Sequence, residues 1–176
     1  MLGSLSVPGE RAPSVASIRV ITRTVTSLDG THRVAAAIAS LVRVGDVIVL
    51  AGEMGAGKTA FAQGFARSLG VTEPVTSPTF TVVHTYDTGR LVVHHADLYR
   101  LDRTSEIDDL ALLETSEADG VLLVEWGDVA AEQLGPRLEV TLRPCDDGDD
   151  CRHITIQAIG STWDSRWSRL NEALRC

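Results

Sequence analysis

Residues 46–70 constrain this chain more than any other stretch. They read Asp46-Val-Ile-Val-Leu-Ala-Gly52-Glu-Met-Gly55-Ala-Gly57-Lys58-Thr59, then Ala-Phe-Ala-Gln-Gly-Phe-Ala-Arg-Ser-Leu-Gly70. The apolar run from Val47 to Ala51 predicts a buried parallel strand. Gly52 to Thr59 fits the phosphate-loop pattern of Gly, four residues, then Gly-Lys-Thr. Phe61, Phe65, Ala66 and Leu69 then fall at helical spacing, and Gly70 is placed to end that helix. Strand, glycine loop and helix are the one setting in which the motif has a mechanism. Glycines let successive backbone N–H groups turn inward on phosphate oxygens. The helix N-terminus adds partial positive charge at the same spot. Lys58 is expected to reach the β- and γ-phosphates, and the Thr59 hydroxyl to bind a Mg2+ bridging them.

A chain of 176 residues fits one domain with a sheet covered by helices. A net charge of −8 is poorly suited to a broad nucleic-acid surface, although Arg90, Arg100 and Arg103 could form a local basic patch. Cys145, Cys151 and Cys176 are odd in number and lack zinc-site spacing. They are expected to be free thiols in a reducing cytosol. No apolar run reaches the ~18 residues of a membrane span. Residues 1–17, rich in Ser, Pro and Gly, lack a secretory core and read as a flexible tail. Residues 18–176 read as a single domain of a cytoplasmic protein.

Taken in order, residues 18–25 read as a strand near a sheet edge. Ser27 is placed to cap a helix over Leu28 to Val42. The stretch Val71 to Phe80 holds two prolines and is expected to be a loop. Its hydroxyls at Thr76, Ser77 and Thr79 are candidate contacts to a γ-phosphate, a water or a metal; alternatively the loop merely caps the next strand. Phe80 to Tyr86 and Arg90 to Ala96 read as two strands joined at Asp87-Thr-Gly89. Asp97 stands at the second strand's end, where water-orienting and Mg2+-binding carboxylates sit in nucleotide-binding α/β folds. His94 and His95 alternate sides, so they are expected to be packed or surface histidines rather than a metal pair.

Thr104 or Ser105 could cap a short acidic helix over Glu106 to Leu113, with Glu114 to Gly120 as a connector. Val121 to Val124 followed by Glu125 is a Walker-B-like strand. A carboxylate at the tip of a buried strand must pair or bind metal to offset its desolvation. Trp126 could shield the site, present a partner surface or join the core. Arg137 to Leu142 and His153 to Ile159 read as strands flanking a solvated acidic loop. Trp163, Trp167, Leu170 and Leu174 predict a docked C-terminal helix.

Guanine-recognition and transporter signatures are absent from the sequence. Three readings remain: an ATPase, a small-molecule kinase with the same loop, and a module that binds ATP without turning it over. Four motifs occur in order: the Gly52 to Thr59 loop, Ser77-Pro-Thr-Phe80, His95-Ala-Asp97-Leu-Tyr-Arg100-Leu, and Leu123-Val-Glu125-Trp126. Over roughly residues 20–160 the chain resembles the TsaE family, the bacterial ATPases of tRNA threonylcarbamoyladenosine biosynthesis. The resemblance implies a single-domain α/β phosphate-loop fold, a mixed sheet flanked by helices. It implies ATP and Mg2+ as cofactors and a weak, partner-dependent hydrolysis. It also implies TsaB and TsaD homologues as partners, with tRNA contacted only through their complex and no membrane association. In that family the ATP cycle is thought to reset the complex.

Carried over by position, Gly52, Glu53, Met54, Gly55, Ala56, Gly57 and Lys58 would hold the phosphates. Thr59 and Glu125 would hold the metal, and Asp97 would orient or activate water. Lys58, Asp97 and Glu125 are thus the expected catalytic residues. Ser77 to Phe80 would form a switch-like loop, and Trp126 a wall of the site. Adenine-side contacts are expected near Thr31 and from Arg152. Many relatives have Asp-Leu where this chain has Glu53-Met54, and often Phe where Ala96 stands. The tail and the loop over Asp146 to Asp150 look like additions.

Overall fold

The computed structural model describes residues 19–78, 83–99, 112–127 and 133–175. The 1–17 tail, most of the 106–113 helix and residues Thr79, Phe80, Arg100, Arg103 and Cys176 lie outside the described residues.

Seven strands form one sheet: β1 (Arg19–Val25), β2 (Val47–Ala51), β3 (Val83–Asp87), β4 (Val92–Asp97), β5 (Gly120–Glu125), β6 (Arg137–Pro144) and β7 (Arg152–Ile159). Their order is β1-β7-β6-β2-β5-β4-β3, which leaves β1 at an edge, as expected. The three pairings among β6, β2, β5 and β4 are parallel, and the outer pairings are antiparallel. The fold is therefore α/β with a mixed sheet.

Four helices among the described residues flank it: α1 (Leu28–Ala39), α2 (Lys58–Ser68), α3 (Leu112–Asp119) and α4 (Trp167–Ala173). The strand alternation explains why both faces need cover. In β2, Ile48 and Leu50 enter a core shared with α1, α2 and α4. Val47 and Val49 enter a second core with Leu122, Val124 and Leu134, against which Leu113 of α3 packs. Ser27 caps α1 as its spacing predicts: its Oγ accepts from the Gly30 N–H at 3.1 Å.

Three expectations are corrected. Glu114 to Gly120 is not a connector: Glu114 to Asp119 belong to α3, and Gly120 opens β5. Tertiary packing of Leu113 holds a segment whose sequence carries little helical periodicity. Trp163 is buried, but in the turn before α4 rather than within the helix. Cys145 and Cys151 are joined in a disulfide rather than free. The β6–β7 register pairs Pro144 with Arg152, so the next residues outward are these two cysteines, with Cα atoms 5.3 Å apart.

Candidate nucleotide site

The parallel register decides where the chemistry gathers. Asp97 and Glu125 are paired positions at the C-terminal ends of β4 and β5. The glycine loop leaves the same end of β2, next to β5. Ligands of open α/β sheets bind at this edge. Here it holds a cleft of about 430 Å³, whose lining includes Gly57, Lys58, Thr59, Ser77, Asp97 and Glu125.

Loop geometry explains the glycines. Gly52 has φ 139°, and a Cβ there would lie 2.4 Å from the Leu142 carbonyl oxygen. Gly57, at φ 103°, precedes α2 and offers no side chain to cap it. The Lys58 ammonium, nearly buried, donates to the carbonyls of Gly52 at 2.7 Å and Glu53 at 2.9 Å. It also lies 3.7 Å from the centre of the Trp126 ring, within cation–π range. Met54 is 74% exposed at the cleft mouth, which suits a loop position that works through its backbone.

Thr59 and Glu125 meet on the cleft floor. The Thr59 hydroxyl lies 3.1 Å from each carboxylate oxygen of Glu125, which is only 3% exposed. A hydroxyl and a carboxylate side by side are hard oxygen donors. They fit Mg2+, which takes one or two protein oxygens and completes its shell with phosphates and water. Among the described residues, Asp97 accepts from the Ser77 hydroxyl at 2.6 Å and from the Tyr99 backbone N–H at 2.9 Å, and these orient it. Ser77 thus joins the site through Asp97. Its loop is tied down by Gln63, which donates to the Val75 carbonyl at 3.0 Å. Burial pushes the Tyr86 phenol above its ordinary value; the Thr76 backbone bonded to it pulls the other way, and the charge of Glu73 adds to the rise.

The two expected adenine-side residues separate. Thr31 is buried near the start of α1 and does not line the cleft. Arg152 reaches the phosphate loop from behind, its Nε donating to the Ala56 carbonyl at 2.7 Å. His95 joins the site unexpectedly, with Nε2 3.0 Å from Glu125 Oε1. The signal was parity: His95 stands two residues before Asp97, on the same side of β4. His94, on the other side, meets Asp119 of α3 at 3.0 Å.

A family model described as "Threonylcarbamoyl adenosine biosynthesis protein TsaE" matches residues 25–154. The chain belongs to the TsaE family. The tRNA threonylcarbamoyladenosine biosynthesis protein TsaE of Bacillus subtilis strain 168 is 43% identical over 135 residues, 76% of this chain and 83% of the relative. The protein of the same name from Streptomyces coelicolor is 39% identical over 133 residues, 72% of this chain and 88% of the relative. A crystal structure of Bacillus subtilis YdiB superposes with a TM-score of 0.72 at 35% identity, over 90% of this chain and 95% of that one. The span matched to the TsaE family holds Lys58, Thr59, His95, Asp97, Glu125 and Arg152; α4 lies beyond it. Among the described residues, no helix is long and apolar enough to cross a membrane.

Proposed function

We propose that this chain is a Mg2+-dependent ATPase and an accessory subunit in tRNA N6-threonylcarbamoyladenosine formation, acting with TsaB and TsaD homologues. The observation that carries the reading is the Thr59–Glu125 pair, set at the foot of a glycine loop with an uncapped helix end. Membership of the TsaE family supports the pathway.

The loop N–H groups and the start of α2 would cradle the β- and γ-phosphates. Lys58 would exchange its two carbonyl partners for phosphate oxygens, a stronger, charge-assisted contact. Thr59 and Glu125 would hold Mg2+, which would supply positive charge to offset that of the phosphates. Asp97, held by Ser77 and the Tyr99 N–H, would orient the attacking water and take its proton as the bond to the β–γ bridging oxygen breaks. The acidic chain is suited to meet tRNA through its partners rather than directly.

The test is ATP hydrolysis by the purified chain with Mg2+, alone and with the TsaB and TsaD homologues of its own host. A low basal rate that the partners change is expected. Lys58→Ala is expected to abolish nucleotide binding. Asp97→Ala and Glu125→Ala should lower kcat by at least ~100-fold while circular dichroism stays unchanged. Wild-type turnover in all three variants would sink these roles. A rate indifferent to the partners would remove the accessory role. Label passing from ATP to a metabolite acceptor would replace hydrolysis with a kinase reaction.

A further inference from the structure

His95 is fully buried in β4, and its imidazole meets the one carboxylate that stands beside Thr59. An ionised carboxylate only accepts hydrogen bonds, so the 3.0 Å contact requires the proton on Nε2. Among the described residues, the other ring nitrogen, Nδ1, is buried with no hydrogen-bond partner. An aliphatic or phenyl side chain would fill this interior position without an orphaned polar atom. Nothing about core packing asks for imidazole here; the contact to Glu125 does.

We infer that His95 is a positioning residue for the Glu125 carboxylate. Its Nε2–H occupies one lone pair of Oε1 and fixes the rotation of the carboxylate about its last torsion. Both oxygens are then presented evenly to the Thr59 hydroxyl, each at 3.1 Å, on a side chain that lines the cleft. Carboxylates that ligate metals depend on such outer partners for orientation, and removing one typically weakens metal affinity by about 10–100-fold. The register makes the arrangement compact: His95 pairs with Leu123 and Asp97 with Glu125, so one strand supplies both the water-orienting acid and the brace for the metal-binding one.

This inference rests on the reading that Thr59 and Glu125 hold Mg2+. Its test is therefore a Mg2+ titration of binding, not a rate. A fluorescent ADP analogue is titrated into wild type, His95→Phe and His95→Gln, in EDTA and across a Mg2+ series. His95→Phe is expected to leave affinity in EDTA unchanged and to move the Mg2+ midpoint up by about 10–100-fold. His95→Gln, whose amide nitrogen can stand where Nε2 stands, is expected to restore most of that loss. A merely structural histidine would move both conditions together or neither. A wild-type Mg2+ midpoint in folded His95→Phe overturns the inference, as does a Gln variant no better than Phe. Wild-type binding that ignores Mg2+ overturns the metal reading itself and the inference with it. If the Phe variant does not fold, 15N spectra of wild-type histidines decide. A protonated Nε2 on the signal lost in His95→Gln, shifting when Mg2+ and ADP are added, is expected. An Nδ1-protonated neutral ring, or a signal indifferent to Mg2+, overturns the inference.

Discussion

Trp126 is the one non-glycine residue with positive φ among the described residues, at 60°. Left-handed backbone costs an L-residue roughly 1–2 kcal/mol, so something must hold it. Its N–H donates to the Leu50 carbonyl at 3.1 Å, and its ring lies 4.9 Å from Tyr99 while facing the Lys58 ammonium. The strain thus sits where the strand must end abruptly so that an aromatic wall can turn into the cleft. Replacing Trp126 by Gly or by Ala removes the ring in both cases, but only Gly relieves the backbone. Trp126→Gly is expected to be more stable than Trp126→Ala by about 1 kcal/mol, the reverse of the usual order in a regular element. Chemical denaturation of the two variants measures it; Ala as stable as Gly would mean that the turn carries no strain. The sequence left three roles open for this Trp because the positive φ falls on Trp126 itself and not on Gly127 beside it, where a glycine would have signalled it.

At the scale of elements, α1 and α2 lie side by side on one face of the sheet, and Gly64 sets their distance. A Cβ at Gly64 would stand 2.9 Å from His32 Cα and 2.8 Å from its ring carbon Cδ2. Within an isolated helix, Gly→Ala gains about 1 kcal/mol. Here the clash involves backbone of the neighbouring helix, so Gly64→Ala is expected to lower stability by roughly 1–3 kcal/mol. A raised Tm in that variant would show that the helices part freely. This contact was not legible in the sequence, where Gly64 looks like a mere weakness in the helix, because helix-to-helix distance is a tertiary quantity. What was legible is what local chemistry encodes. The glycine loop, Ser27 as cap, the strand alternation of Ile48, Leu50, Val47 and Val49, and the acids at the ends of β4 and β5 all follow from spacing. What needed the register was not legible: the Cys145–Cys151 closure, the reach of Arg152 to Ala56 and the contact of His95 with Glu125. Helix α3 was missed because packing on the second core, rather than a periodic face, holds it.

Across the whole molecule, one buried ion pair ties the C-terminal segment to the strand that launches the phosphate loop. Arg166 and Asp46 are 3% and 4% exposed. The guanidinium meets both carboxylate oxygens, at 2.5 and 2.8 Å, and also donates to the carbonyls of Leu41 and Thr162. It lies 4.1 Å from the centre of the Trp163 ring, and Asp46 also accepts from the Arg43 N–H at 2.7 Å. Asp46 immediately precedes β2, so the turn before α4 is fastened to the base of the strand whose far end becomes the glycine loop. Such a pair costs much to desolvate, and breaking it leaves the surviving charge stranded. Asp46→Ala is therefore expected to lose about 3–5 kcal/mol. Adding Arg166→Met removes the stranded charge and fills its volume with an apolar chain, so the double variant is expected to be more stable than Asp46→Ala alone. Denaturation midpoints of the two single variants and the double give the coupling directly. A double variant as weak as the sum of the singles would mean that the pair is not coupled, and that the C-terminal segment is held to the sheet by its apolar contacts through Trp163, Leu170 and Leu174. Coupling of the expected sign would place part of the stability of β2, and so of the loop it carries, in residues 120 positions away along the chain.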